Sequence, residues 1–209
     1  MWNALTPAWQ TAFELAWEAF CHGSIPIGAI ITDDEGRVLS TGRNLMGEGR
    51  VPNPRTAHAE AQCVRNLDTS AFPDTRRCHL YTTMEPCPMC IGTIVMGGIY
   101  NIHVAARDNY CGALHYLQDD PFLQSKQVNV WLDAHHGGSV QIAMQTCHEL
   151  RRFGGQDTRV LQKFAEQYPR EVELGRILYR EGTLERCAEQ GMPCGEVFDS
   201  ILAMLESVV

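Results

Sequence analysis

The strongest constraint on how this chain can fold is the spacing of one histidine and two cysteines. They occur in His58-Ala59-Glu60 and, far along the chain, in Pro86-Cys87-Pro88-Met89-Cys90. A helix that begins after Pro86 puts Cys87 and Cys90 on one face, because residues three apart are neighbours on a helix. The positive end of that helix favours thiolates, the form that binds a metal. If all three are ligands, the fold must bring His58 to the start of a later helix.

One imidazole and two thiolates supply three ligands for a tetrahedral zinc ion and leave its fourth position open for water. That arrangement is typical of catalytic rather than structural zinc. Glu60 lies two residues from His58, a spacing that does not share a face of a regular helix. Both side chains can reach one cavity if a helix begins near them, and Thr56 is the predicted N-cap. Glu60 can then accept a proton from the water without binding the metal.

Each fragment alone has a simpler interpretation. An isolated Cys-x-x-Cys could be half of a structural zinc site or a redox pair, and an isolated His-x-Glu carries little information. Here a proline precedes the first cysteine, and 28 residues separate His58 from Cys87. The combination matches the His-x-Glu and Pro-Cys-x-x-Cys signature of zinc deaminases.

At these residues the chain resembles the cytidine-deaminase-like zinc deaminases. The resemblance is strongest to the branch of bacterial tRNA-specific adenosine deaminases, bacterial guanine deaminases and fungal-type cytosine deaminases. It extends over about residues 7 to 153. The fragments that support it are Ile25–Ala29, Thr56–Glu60, Leu80–Cys87 and Ala106–Asp108. It implies that His58, Cys87 and Cys90 bind one Zn²⁺ per chain and that Glu60 shuttles protons.

The resemblance also implies three substrate contacts. Asn44 corresponds to a position whose side-chain amide contacts base or ribose, and Ala59 to one whose backbone N–H meets the substrate ring. Asp108 corresponds to an aspartate that touches the sugar of a flanking nucleotide in the tRNA enzymes. After Asp108 the chain departs from those enzymes: residues 109 to 113 read Asn-Tyr-Cys-Gly-Ala, and the segment 114 to 136 is longer than expected.

Hydrophobic periodicity predicts an α/β fold. An amphipathic helix over residues 7 to 21 precedes a hairpin of strands over 27 to 33 and 38 to 44. Helices over 56–67, 87–97 and 139–153 then alternate with strands over 78–83, 100–106 and 127–132. This order fits the fold that the resemblance implies, a three-layer α/β/α sandwich with a five-stranded mixed sheet whose later strands are parallel.

Gly154-Gly155 marks the predicted boundary between a deaminase domain, residues 1–154, and a helical C-terminal extension, residues 155–209. The extension has no counterpart in the family pattern. Four short amphipathic helices are predicted in it, over residues 160–168, 172–179, 184–190 and 196–207. Such helices need a partner surface, either the chain's own core or a second subunit. We expect a homodimer whose extension covers or borders the pocket.

Charge and cysteine content restrict the partners and the compartment. Seventeen Lys and Arg against 25 Asp and Glu give a net charge of −8, and only Lys126 and Lys163 are lysines. This balance disfavours a nucleic-acid partner, because phosphate contacts dominate such binding.

The chain has nine cysteines, and its N-terminus shows no signal pattern. Together these features predict a reducing, cytoplasmic location. No apolar run is long enough to span a membrane.

We therefore predict a zinc-dependent hydrolytic deaminase that converts an amino group on a nucleobase, nucleoside or related amino-heterocycle to an oxo group and releases ammonia. The alternative is a tRNA-specific adenosine deaminase that forms inosine in an anticodon. A third hypothesis is a binding module with structural zinc, which the unliganded Glu60 disfavours. The arginines Arg43, Arg50 and Arg55 are predicted on a solvated loop face or as phosphate contacts.

Overall fold

A five-stranded mixed sheet forms the centre of the protein in a computed structural model that describes residues 1–207. Its strands are β1 (Gly28–Thr32), β2 (Val38–Arg43), β3 (His79–Met84), β4 (Asn101–Ala106) and β5 (Asn129–Trp131). Their order across the sheet is β2-β1-β3-β4-β5. Strand β1 pairs antiparallel with β2 and β3, whereas the β3–β4 and β4–β5 pairs are parallel. The predicted hairpin and the parallel later strands are confirmed.

Helices cover both faces of the sheet. They are α1 (Pro7–Cys21), α2 (Ala59–Asn66), α3 (Pro88–Met96), α4 (Tyr116–Asp119), α5 (Pro121–Gln124) and α6 (Gly137–Arg152). Leu80 and Ile102 point to the face covered by α2 and α3, while Tyr81 and Ala105 point to the face covered by α1 and α6. The two short helices α4 and α5 lie in the long segment that follows β4. The α/β/α sandwich expected from the sequence is therefore the observed fold.

The first helix forms for the reasons that the sequence predicts. Thr6 caps α1, since its hydroxyl accepts a hydrogen bond from the backbone N–H of Trp9 at 3.4 Å, and Pro7 occupies the first helical turn. The buried face of α1 is Trp9, Ala12, Phe13, Ala16, Trp17, Ala19 and Phe20. No helix within residues 1–207 is both long enough and apolar enough to cross a bilayer.

The C-terminal extension forms four helices: α7 (Arg159–Gln167), α8 (Pro169–Glu181), α9 (Thr183–Glu189) and α10 (Cys194–Ser207). Helices α8, α9 and α10 share one hydrophobic cluster with α1 and α6. Helix α7 packs elsewhere, through Phe164 against Met84 and Ala106 at the ends of β3 and β4. The ring of Phe198 in α10 meets that of Phe13 in α1 edge to face, with 5.2 Å between centroids. Of the two partner surfaces expected for the extension, the structure uses the chain's own core.

Helix α8 approaches α6 most closely at Gly175. A Cβ at this position would lie 2.4 Å from Cβ of Thr146 and 2.8 Å from the backbone oxygen of Ala143. Real Cβ atoms do not tolerate such distances, so a larger residue would push α8 away from α6. A glycine in the middle of α8 is therefore a packing requirement.

We predict that Gly175→Ala lowers the free energy of unfolding by about 1–3 kcal/mol, the usual range for overpacking in a core. The matched control is Gly92→Ala, because Gly92 lies inside α3 with no atom within 4 Å of the added Cβ. That control should stabilise the protein slightly, since alanine loses less backbone entropy in a helix. Urea unfolding of the two variants checks this. Equal stabilities would show that the α6–α8 contact does not depend on glycine.

His148 is a buried histidine that the structure keeps neutral. It lies in α6 with 3% of its surface exposed, and the Arg151 guanidinium donates to its Nδ1 at 3.4 Å. Burial, reinforced by the charges of Arg151 and Arg152, lowers the pKa of His148 to about 3. In the unfolded chain a histidine has a pKa of about 6.5.

The unfolded state therefore binds more protons than the folded state between those two pKa values, and stability falls as the pH falls below about 6.5. At pH 5 the expected contribution of His148 is a loss of about 2 kcal/mol relative to pH 7. Unfolding free energies of the wild type and His148→Gln at both pH values measure it. The variant should lose about 2 kcal/mol less on acidification. The same pH dependence in both proteins would contradict the assignment.

Candidate metal centre

The predicted metal ligands meet where two helices begin. His58 is the N-cap residue of α2 and Cys87 is the N-cap residue of α3, while Cys90 lies in the first turn of α3. The prediction that Thr56 caps this helix is wrong. Thr56 ends a short 3₁₀ helix, Pro54–Thr56, whose cap is Asn53, and its hydroxyl donates to the Asn53 carbonyl at 3.1 Å. This local turn delays the start of α2 until after His58.

Gly42 in β2 allows α2 to lie directly against the sheet. A Cβ on Gly42 would be 2.2 Å from the backbone oxygen of Ala59 and 2.5 Å from the backbone nitrogen of Cys63. The Ser40 hydroxyl adds a hydrogen bond of 2.6 Å to the Cys63 carbonyl. The start of α2, and with it His58, is therefore held by close backbone contact with β2.

The distances between the three ligand atoms fit a tetrahedral zinc ion. Nδ1 of His58 lies 3.6 Å from Sγ of Cys87 and 3.6 Å from Sγ of Cys90. Bonds of about 2.3 Å to sulfur and about 2.0–2.1 Å to nitrogen, at tetrahedral angles, require about 3.6 Å between sulfur and nitrogen. Among residues 1–207 this is the one group of three or more His, Cys, Asp or Glu side chains whose ligand atoms all lie within 4.8 Å of one another. The donor set is therefore arranged for one Zn²⁺.

Glu60 is the second residue of α2 and lies beside the ligands, with 3% of its surface exposed. Its Oε2 is 3.5 Å from Sγ of Cys90. Burial raises the pKa of Glu60 to about 6. Because α2 begins at Ala59, His58 and Glu60 are not constrained to opposite faces of a regular helix, and both reach the same centre.

The three ligand side chains perturb one another's pKa. A hydrogen bond from Cys90, supported by His58, lowers the pKa of Cys87 to about 4, and the same hydrogen bond with Cys87 raises the pKa of Cys90. A hydrogen bond with Cys87 is also the main cause that raises the pKa of His58. The opposite shifts of the two cysteine pKa values show how closely the three side chains are placed.

Asn44 and Ala59 flank the segment that leads into His58, since Leu45 donates through its backbone N–H to the Ala57 carbonyl at 3.0 Å and Ala59 follows His58 directly. Asn44 follows β2, is 1% exposed, and accepts a hydrogen bond from the Met46 backbone N–H at 2.9 Å through Oδ1. Its Nδ2 makes no hydrogen bond with any residue from 1 to 207, so this donor is available to a ligand. Ala59 is the first residue of α2, where the backbone N–H has no partner within the helix.

Asp108 lies in the loop after β4, and its carboxylate organises that loop. Oδ1 accepts hydrogen bonds from the backbone N–H groups of Tyr110 and Cys111, both at 2.9 Å. Burial raises the pKa of Asp108 above its ordinary value.

Glu85 is a buried residue that the sequence reasoning did not single out. It follows β3 and accepts hydrogen bonds from the backbone N–H of Leu114 at 3.0 Å and of Asp108 at 3.1 Å. The Arg107 guanidinium pairs with the same carboxylate at 2.7 Å. Glu85 therefore holds the loop of Asp108 next to the start of α3. An acidic residue before Pro86 looks like part of an exposed turn, so no local signal reveals its burial.

Arg43 also differs from the expectation, which was a solvated loop face or a phosphate contact. It is 9% exposed and donates to Oε1 of Glu18 at 2.9 Å and to the carboxylate of Glu48. These pairs join the loop after Asn44 to α1. The carboxylates come from distant or irregular segments, which is why the sequence did not predict them.

Comparison with known proteins identifies the family. The family described as "Cytidine and deoxycytidylate deaminase zinc-binding region" matches residues 5–106. The tRNA-specific adenosine deaminase of Aquifex aeolicus is 33% identical over 124 residues, which cover 56% of this chain and 78% of that protein. This chain belongs to the cytidine-deaminase-like zinc deaminases.

Other members of the family differ in what they are named for. A probable cytosine deaminase of Schizosaccharomyces pombe is 38% identical over 90 residues, covering 43% of this chain and 52% of the relative. A solved structure from a study of A-to-I editing by tRNA:A34 deaminases at the wobble position has 29% identity and a TM-score of 0.51. That alignment covers 59% of this chain and 95% of the other.

The chain aligns with only part of the length of each of the first three curated relatives. The chain covers 64% of a tRNA-specific adenosine deaminase of Haemophilus influenzae. It covers 22% and 20% of the tRNA(Ile)-lysidine synthases of Deinococcus deserti and Deinococcus radiodurans. The family profile ends at Ala106, so the Asp108 loop and the extension lie outside it.

We predict that the purified protein holds about one zinc per chain and that Cys87→Ala loses it. Loss of a ligand should also lower the melting temperature, because metal binding adds to folding free energy. Cys111→Ala is the matched control, since Cys111 is exposed and outside the ligand group. Elemental analysis after dialysis gives the zinc content of all three proteins. Stoichiometric zinc in Cys87→Ala would remove the ligand assignment.

Proposed function

We propose that this protein is a hydrolytic deaminase that acts on a free nucleobase, nucleoside or related amino-heterocycle. The observation that carries the proposal is the buried Glu60, 3.5 Å from Cys90 and outside the three-residue ligand group. A structural zinc site has no use for a buried carboxylate that does not bind the metal. A reaction that moves protons between water and substrate does.

In the proposed reaction, water replaces the amino group on a ring carbon, an oxo group forms, and ammonia leaves. Zinc, held by His58, Cys87 and Cys90, supplies the Lewis acidity that makes water a nucleophile near neutral pH. Glu60 accepts a proton from the water and delivers protons to the ring nitrogen and to the departing amine. Within residues 1–207 no cation pairs with Glu60, and its side-chain contact is the Cys90 thiol at 3.5 Å, which supports its use in this transfer.

Residues around the metal centre would orient the substrate. Among residues 1–207 the amide Nδ2 of Asn44 and the backbone N–H of Ala59 have no acceptor, and such donors suit the acceptor atoms of a heterocycle. Asp108 is proposed to contact the substrate through Oδ2, since Oδ1 is engaged by the loop. Donors on two elements would hold a flat ring in one orientation.

Overall charge supports a small substrate. The net charge is −8 and the chain has two lysines, so the protein lacks the overall basic excess that favours phosphate binding.

We further propose a deaminase domain over residues 1–154, a helical extension over residues 155–209, a cytoplasmic location and a homodimer. The extension's packing on α1 and α6 supports its inclusion in one folded unit with the deaminase domain.

A second candidate is the deamination of adenosine in a tRNA anticodon. The relative of Aquifex aeolicus and the tRNA:A34 deaminase structure favour it. A tRNA enzyme should bind its stem-loop with steep salt dependence, because each neutralised phosphate releases counterions. We expect weak, non-saturating binding of a stem-loop between 50 and 200 mM salt, roughly the range in which that dependence is large. Saturable, salt-sensitive binding with inosine formed in the RNA would favour the second candidate.

We predict that Glu60→Gln keeps zinc and the fold but loses turnover. General acid–base catalysis is typically worth about 10²–10⁴-fold, and one residue serving several proton transfers should fall at or beyond the upper end. Ammonia release from a panel of bases, nucleosides and triazines, with zinc content measured in parallel, checks this. Glu35→Gln is the control, because Glu35 lies in the exposed β1–β2 turn. Near-normal turnover of Glu60→Gln would exclude the proton-transfer role.

A further inference from the structure

A cavity of about 530 Å³ lies between the Asp108 loop and the C-terminal extension. Its lining consists of Glu85, Arg107, Asp108, Asn109, Tyr110, Gly112, His115 and Gln167. All of these except Gly112 carry polar side chains. A polar lining suits a hydroxylated group better than the flat apolar faces of a base. Seven of the eight residues come from the deaminase domain, and Gln167, at the end of α7, comes from the extension.

The cavity adjoins the segments that carry the metal ligands. Glu85 is two residues before Cys87, so their Cα atoms are at most about 7 Å apart. The loop is also tied to the start of α3, since the backbone N–H of Ala113 donates to the carbonyl of Pro86 at 3.0 Å. A substrate with its reacting ring at the centre could therefore extend a second group into this cavity.

The extension is joined to the loop by specific contacts. Nδ2 of Asn109 donates to the backbone carbonyl of Lys163 in α7 at 2.5 Å. Phe164, on the buried side of α7, packs with Met84 and Ala106, the last residues of β3 and β4. Helix α7 is therefore anchored where the loop leaves the sheet.

Gln167 contributes an exposed amide side chain to the rim of the cavity. The side-chain amide of Asn109 donates a hydrogen bond to the Lys163 carbonyl, whereas the side chain of Gln167 has no hydrogen bond with residues 1–207. An uncommitted amide offers both a donor and an acceptor, which is what a sugar hydroxyl requires.

We propose that the cavity receives the sugar of a nucleoside substrate and that Gln167, supplied by the extension, is a specificity-determining residue for nucleoside over free base. This inference rests on the proposed function, because the reacting ring must lie at the metal centre. The extension then works as one wall of the substrate pocket. Asn109 is a positioning residue that holds the loop against that wall.

The test compares Gln167→Ala with wild type on matched pairs: cytosine and cytidine, guanine and guanosine, adenine and adenosine. Loss of one neutral hydrogen bond should raise KM for the nucleoside about 3- to 10-fold with little change in kcat. KM for the free base should stay within about 2-fold, because the base does not reach Gln167. Gln190→Ala, at an exposed position of the extension outside the cavity, is the control and should match wild type on both.

Equal effects of Gln167→Ala on base and nucleoside, or no effect on either, would overturn the inference. Turnover of free bases alone by wild type would also overturn it but would leave the proposed function standing. If the zinc-loaded wild type turns over no base or nucleoside, the proposed function fails. Calorimetric titration with the same nucleosides then decides the inference: saturable binding weakened in Gln167→Ala supports it, and no binding rejects it.

Discussion

The convergence of two helix N-termini on one metal position is the constraint on which the rest of this structure depends. His58 and Cys87 are the N-cap residues of α2 and α3, and Cys90 follows one turn later. Helix α2 follows β2 and helix α3 follows β3, so the sheet must bring the N-termini of the two helices together. Gly42 permits α2 to lie on β2, and Glu85 holds the loop beside the start of α3. With these elements in place, the ligand atoms lie 3.6 Å apart.

The carboxylates around the centre differ in role because their partners differ. Glu85 pairs with Arg107 and accepts hydrogen bonds from two backbone N–H groups, so its role is structural. Glu48 is similarly used by Arg43, whose hydrogen bond lowers the pKa of Glu48. Glu60 makes no ion pair among residues 1–207; its Oε2 lies 3.5 Å from the Cys90 thiol, and burial raises its pKa to about 6.

Local pattern predicted the strands and the major helices, because each depends on residues close in sequence, as the apolar face of α1 does. The ligand group was predicted from the combined His-x-Glu and Pro-Cys-x-x-Cys signature, although His58 and Cys87 are far apart in the sequence. The prediction failed where a competing local turn or a distant segment decides the outcome. Thr56 has a good capping side chain, but the Asn53 turn delays the helix. Arg43 looks solvated until Glu18 and Glu48 are placed beside it. The position of Gln167 next to the Asp108 loop depends on how the extension packs, which no motif encodes.

His58, Cys87 and Cys90 hold one zinc beside the buried carboxylate of Glu60, which lies outside the ligand group. Zinc K-edge X-ray absorption on the purified protein tests this coordination, because it counts sulfur neighbours. We expect two sulfurs at about 2.3 Å and a histidine nitrogen at about 2.0–2.1 Å. In Glu60→Gln the same spectrum should persist. A shell of four sulfurs, a shell without sulfur, or a change of coordination in Glu60→Gln would show that the ligand assignment is wrong.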